Sequence, residues 1–414
     1  MHSKTPFHDA ILGLSWNLSN TPITFLLTLL LLVFLFVGLT TLPAIGQTYT
    51  VLHNFTGLGD GKTPTAGLAL DPAGNLYGTT QYGGFLGNGT VYRLALHHGM
   101  WTETIYAFEA SSADGAFPTA GVVFGPDGQL YGATSWGGYG YGAVFSLRPP
   151  ATACETALCG WEESMLTVVA PPGCDGAGIG YGDVAFDSSG AIYETTIFAG
   201  YYDVGTIFRV FPSDSGWTCQ DGGSFNWADS GGNTEAGVTL VGDTIYGVAT
   251  MGGQYGFGTV YIEQGGIWPL YAFQNGEDGS YPVASLISDA AGNLYGTTQG
   301  GGSGGGTVFE VTSSGNFELL YSFTDGGNSR GSLNFDAAGN LYGTLCSGGP
   351  QRVGSVFRLT HGTSGWTYSS LHDSSGGDGA CPFGRVSLDA NGNLYGTASQ
   401  GGSYGYGVVW KITP

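Results

Sequence analysis

The chain has 414 residues and a net charge of −21, with 10 Lys and Arg against 31 Asp and Glu. A surface this acidic repels phosphate backbones and anionic lipid heads, which excludes nucleic acid as a partner and leaves a membrane reachable only through the N-terminus. The 77 glycines would suit a disordered chain, but 14% aromatic residues in regular apolar runs argue for a packed core.

The first element is a leader. Phe25 to Leu39 is apolar except for Thr28 and Gly38, Lys4 lies upstream, and Ala44-Ile45-Gly46 puts small residues where a signal peptidase reads. Residues 1–46 are therefore expected to form a hydrophobic helix, either a signal peptide cleaved before Gln47 or an uncleaved membrane anchor. Both readings place residues 47–414 outside the cytoplasm, secreted or at the cell surface.

Tyr49 to Phe55 follows as an isolated strand, and then a repeat begins. Gly67-Leu68-Ala69-Leu70 is short and apolar, as an inner strand must be; we denote it strand a. Asp71-Pro72-Ala73-Gly74-Asn75 is a tight turn, since Pro presets φ and Gly or Asn accepts the left-handed position. Leu76 to Thr80 forms strand b, a Gly83-Gly84 hairpin leads to strand c at Thr90 to Leu94, and Trp101 to Phe108 is strand d. Four antiparallel strands joined by short turns make one propeller blade.

The Leu/Ile-Tyr pair of strand b returns at Tyr131, Tyr193, Tyr246, Tyr295, Tyr342 and Tyr395, spaced 47 to 62 residues apart. That period indicates a radial repeat; the coils of a parallel β-helix are shorter. Two copies drift. Glu194 replaces the Gly that follows Tyr in the third, and Val241-Gly242-Asp243-Thr244 replaces the Asp turn in the fourth. The seventh copy stops after its strand c, Val408 to Ile412, so the isolated N-terminal strand is expected to complete it and remove an open edge. The prediction is an all-β fold: a seven-bladed propeller of four-stranded antiparallel blades closed by its N-terminal strand.

The string Gly-Asn-Leu-Tyr-Gly-Thr-Thr, Gly-Gly and Gly-Thr-Val-Phe/Tyr, repeated through residues 65 to 414, resembles the GloVer tandem repeat of secreted bacterial proteins. The resemblance implies export and repeat architecture, with no catalytic residues to carry over. It also implies anchoring, which here would fall to the leader because the chain ends at Pro414 without a sorting tail.

Strand order puts the d-to-a connections and the b-to-c hairpins on one face. The former carry Asp60, Asp114, Asp175, Asp278, Asp325 and Asp378, each followed by Gly. The latter carry Phe85, Tyr139, Tyr141, Tyr201, Tyr202, Tyr255, Phe257, Tyr404 and Tyr406. Aromatic faces stack on sugar rings and carboxylates accept from hydroxyls, so the sharp expectation is a module that binds an extracellular glycan or protein, centred on those aspartates and on Tyr141, Tyr202, Tyr255 and Tyr406. The competing reading is plain turn chemistry, since Asp-Gly is an ordinary turn pair. An enzymatic alternative, a glycoside hydrolase or lyase, would use a pair of the same aspartates, which are expected to converge with the aromatics around one mouth of the propeller channel, although nothing selects an acid and a base. Calcium is the one cofactor the clustered Asp residues suggest, yet no Asp-x-Asp-x-Asp loop is present. His53, His97, His98, His361 and His372 fall in strand d or its outer hairpins, which argues against a His-based triad or a His-rich metal centre.

Six cysteines fit an oxidising compartment. Cys346 lies in the b-to-c hairpin of the sixth blade and Cys381 in the connection entering the seventh, on the same face, so they are expected to bridge. Cys154 and Cys159 share one enlarged hairpin and should form a second bridge. Cys174 and Cys219 then pair only by elimination, with their loops expected on opposite faces.

Overall fold

The computed structural model describes residues 47–111, 114–137, 140–149, 160–168, 174, 177–180, 182–214, 216–324 and 326–414. The chain divides into two units, residues 1–46 and 47–414. The first, with the expected leader helix, lies outside the described residues. So do Asp175, Asp325, Tyr139 and the Cys154–Cys159 pair. Among the described residues no helix is long and apolar enough to cross a membrane.

Residues 47–414 form a seven-bladed β-propeller of four-stranded antiparallel sheets. Blade 1 runs Ala69–Leu70, Leu76–Thr80, Thr90–His97 and Met100–Ala107 as strands a to d, and five further blades repeat that order. Blade 7 takes Ser387–Leu388, Leu394–Gln400 and Val408–Thr413 from the end of the chain. Its outer position is filled by Thr48–Asn54, paired antiparallel with strand c from Thr48↔Thr413 to Asn54↔Val408. Phe55, Leu68, Leu76 and Tyr92 then pack with Tyr395 and Val409, so blade 7 meets blade 1 through the same kind of apolar layer as the other neighbours.

The repeat string has a physical reading at each position. In blade 1, Asp71 Oδ1 accepts the backbone N–H groups of Ala73 and Asn75, while Oδ2 accepts from Asn75 Nδ2 and the Tyr77 hydroxyl. Asp289, Asp336 and Asp389 repeat the four bonds. The Gly after Tyr lies under the ring of strand c: a Cβ on Gly343 would sit 2.5 Å from Phe357, and one on Gly396 2.3 Å from Trp410. Neighbouring blades are laced near the axis by threonine hydroxyls, with Thr79 donating to Ala120 O, Thr195 to Ala236 O and Thr397 to Ala66 O, each at 2.8 Å.

Cys346 and Cys381 are bonded, with Cα atoms 3.8 Å apart, and tie blade 6 to blade 7. Cys174 and Cys219 are bonded too, with Cα atoms 5.7 Å apart, and the expectation of opposite faces is corrected. Cys219 belongs to strand d of blade 3, Gly216–Ser224, rather than to a loop. Its side chain joins the apolar layer between blades 2 and 3, where Cys174 is buried.

Candidate functional site

On the face of the hairpins, each d-to-a connection runs beside the b-to-c hairpin of the blade it enters. The pairings include Lys62↔Tyr82, Gly115↔Gly137, Gly232↔Met251, Ser280↔Gly300 and Ala380↔Gln400. The hairpins turn on left-handed glycines such as Gly83 and Gly84 (φ 85° and 76°), which lift the residues between them off the sheet. Most aromatic side chains placed there point away from the blade core.

They stay in solvent. Tyr141, Tyr202, Tyr255 and Tyr406 are all exposed, as are Phe85, Tyr201 and Tyr404. Tyr201, at 85% exposure, is the extreme. Phe257 departs from the group: it turns inward and meets Tyr281 edge to face. Sequence reasoning passed over Tyr82, Trp136, Phe198 and Trp227, which are exposed on the same face. A large ring next to a Gly-Gly hairpin was the available signal for Trp136 and Tyr82. The aromatic surface covers blades 7, 1, 2, 3 and 4. The corresponding hairpins of blades 5 and 6, residues 299–306 and 346–354, contain no aromatic residue.

The aspartates of this face are engaged by their own connections. Asp60 accepts from Thr56 N and Oγ1, Asp278 from Gln274 N, Gly276 N and the Tyr271 hydroxyl, and Asp378 from Ser375 N and Oγ. Asp114 accepts from Glu109 N, Gly115 N and the Tyr106 hydroxyl. These carboxylates fold the connection, which is the turn reading. The expectation that they gather around the channel mouth is corrected: Asp114, Asp278 and Asp378 lie beside the outer strands, because their partners Tyr106, Tyr271 and His372 all belong to strand d.

The axis holds charges that the sequence did not advertise. The residue entering strand a is Gly67 in blade 1 and Gly121 in blade 2, but Asp183 in blade 3 and Arg385 in blade 7. Two residues earlier stand Glu235 in blade 4 and Arg330 in blade 6. Arg385 Nη2 lies 3.7 Å from Asp183 Oδ2, and Asp183 Oδ1 accepts from Gly121 N. Arg330 lies over the ring of Phe383 at 5.4 Å. Burial raises the pKa of Glu235, and Arg330 works against that rise. On the hairpin side these groups leave a cavity of about 40 Å³, room for a few waters and not for a sugar. Asp183 and Arg385 stand where blades 1 and 2 have Gly67 and Gly121, and Glu235 and Arg330 where they have Thr65 and Thr119.

Glu194 fills the position where the other six blades have Gly. It is fully buried; Oε1 accepts from Thr195 N and Oε2 has no partner. Burial, with Asp183 adding to it, pushes its pKa well above the carboxylate range.

Fold and surface together define a class: an all-β propeller built from tandem repeats, with its chemistry displayed on loops of one face. The chain belongs to the Gloeobacter/Verrucomicrobia repeat family, whose model matches residues 38–172, 162–328 and 270–414. No curated protein matches it. Among solved structures it is similar to a proposed oxidoreductase (glucose dehydrogenase) from Thermus thermophilus, at 15% identity and a TM-score of 0.43, covering 89% of this chain and 100% of that one. It is also similar to a proposed gluconolactonase, at 14% identity and a TM-score of 0.40, covering 91% of this chain and 94% of the other.

Proposed function

We propose that this protein works outside the cytoplasm as a binding module, and that the aromatic arc over blades 7 and 1–4 is its binding surface for carbohydrate. The observation that carries the reading is the solvent exposure of Tyr141, Tyr202, Tyr255 and Tyr406 together on one face. Exposed rings concentrated on one face mark interaction surfaces, because an acidic, soluble domain gains nothing from leaving them in water. Flat rings on rigid hairpins suit the apolar faces of sugars. Two disulfides support an oxidising destination. In the same reading the N-terminal strand is the closing element that holds the ring in one piece, with the leader delivering or anchoring it.

A glycan array probed with the full chain tests the proposal. Replacing Tyr202 and Tyr255, on adjacent blades, by alanine should weaken any bound glycan at least tenfold, with an unchanged melting temperature. Equal loss of affinity and stability would assign the rings to packing. Release of sugar from a bound polymer would turn the reading towards the enzymatic alternative.

A further inference from the structure

Four of the gaps between outer strands can be compared at the same three positions among the described residues, and one of the four differs in kind. The first position is the strand d residue paired with the second residue of strand c, the second is the Asp of the following connection, and the third lies on strand d of the next blade. Between blades 1 and 2 they are Tyr106, Asp114 and Glu163, and the Tyr106 hydroxyl donates to both carboxylates, at 3.3 and 2.7 Å. Between blades 6 and 7 they are His372, Asp378 and Tyr49: His372 bonds Asp378 at 2.9 Å and stacks on Tyr49 at 3.5 Å. Between blades 4 and 5, Tyr271 bonds Asp278 and stacks on Phe317. In each of these gaps the strand d residue bonds its Asp directly, and Glu163 Oε1 alone of the carboxylate oxygens named is left without a partner.

The gap between blades 7 and 1 holds His53, Asp60 and Glu103. Here the direct bonds are missing. His53 Nε2 stands 3.6 Å from Asp60 Oδ2 and 3.5 Å from Glu103 Oε1, and the three donor atoms lie within 4.8 Å of one another. His53 Nε2 and Glu103 Oε1 are both closed off from solvent and neither has a hydrogen-bond partner. Buried polar atoms left unpaired in this way call for a bridging group. One imidazole nitrogen and two carboxylate oxygens are a donor set for a first-row divalent cation. Ligands about 2.1 Å from a tetrahedral zinc stand roughly 3.4 Å apart, close to the two spacings from His53. Asp60 is already oriented from behind by Thr56, whose hydroxyl donates to Oδ1 and whose N–H donates to Oδ2.

We propose that His53, Asp60 and Glu103 form a binding site for a divalent cation of the zinc class, one that clasps the N-terminal strand to the outer strand of blade 1. Three protein ligands leave a fourth position for water. The ion ties the one strand that arrives from the far end of the chain, at the seam where the ring is closed.

The full chain, stripped with a chelator and titrated with zinc chloride in a calorimeter, tests the site. The expected result is one zinc per chain and a melting temperature that rises on saturation. His53→Tyr recreates the Tyr-Asp-Glu trio of the next gap, so it should fold without metal while binding zinc at least 100-fold more weakly. Glu103→Gln, which keeps the shape and removes a charged ligand, should weaken binding at least tenfold. Absence of zinc binding by the parent chain, or binding unchanged in both variants, overturns the proposal.

Discussion

The two faces of this propeller are built from the same repeats but use them differently. On the a-to-b side, Asp71, Asp289, Asp336 and Asp389 make the same four hydrogen bonds, and Asp127 and Asp187 make variants of them with Gln129 and Ser189. On the hairpin side the equivalent loops hold Phe85, Trp136, Tyr202, Tyr255 or Tyr406, while that of blade 5 is mostly glycine and that of blade 6 carries Cys346, Pro350, Gln351 and Arg352. The first face is nearly uniform because most of its bonds close within one turn; the Val241-Gly242-Asp243-Thr244 turn of blade 4, the Ser188–Asp243 bond to it and the Arg209–Asp187 bond are the departures. The hairpin face is free to differ in its exposed side chains because backbone bonds, such as Lys62 N to Tyr82 O and Thr63 N to Tyr406 O, hold the hairpins whatever those side chains are. Scaffold and display are separated by face rather than by domain.

The two faces should respond differently to substitution. The largest effect should come from deleting Gln47 to Phe55, which removes the outer strand of blade 7 and the fully buried Phe55. The truncated chain should lose its cooperative melt under native conditions; a melt like the parent's would mean that neither face depends on the closing strand. Gly343→Ala comes next, on strand b beneath the uniform face. Its Cβ would press into Phe357, and overpacking of this kind costs about 1–3 kcal/mol. Urea titration reads it directly, and an unchanged midpoint would show that the ring has room to move.

Asp389→Ala tests the uniform face itself, leaving Asn393 and Tyr395 without their acceptor, at about 1–3 kcal/mol. Burial opposes ionisation of Asp389, but the bonds from Asn393, Asn391 and Tyr395 outweigh it and hold its pKa below the ordinary 3.8. Asp127, Asp187, Asp289 and Asp336 are lowered in the same direction. Their shared stabilisation is complete above about pH 3.8 and is lost as pH falls through the lower folded values. The alanine variant should therefore lose less stability than the parent between pH 4 and 2.

Glu194 gives the opposite sign. Its raised pKa means that stability is fully present below 4.5 and declines as pH rises from there towards the folded value. Glu194→Gln should flatten that decline, and an identical pH profile would show the acid to be ionised in the fold. The smallest stability effect belongs to the display face: Tyr202→Ala with Tyr255→Ala should stay within about 0.5 kcal/mol of the parent, as exposed substitutions do. A larger loss would mean that the hairpin rings help hold the blades.

What the sequence determined by itself is what local chemistry can write. The Asp-x-x-Gly-Asn-Leu-Tyr-Gly string specifies a turn and a strand within ten residues, so seven copies read as seven blades. The missing last strand d made the pairing of Thr48–Asn54 with Val408–Thr413 legible, because only one segment was left to supply it. The exposed tyrosines were legible from Gly-flanked hairpins, and the Cys346–Cys381 bridge from strand order. Tertiary structure decided the rest. His53 and Glu103 are 50 residues apart, and Cys174 and Cys219 are 45 apart, on the outer strands of different blades or the chain leading from them. Asp183 and Arg385 come from blades 3 and 7, 202 residues apart in the chain, and meet near the axis. Such contacts depend on how blades are set side by side, which no turn or strand pattern encodes.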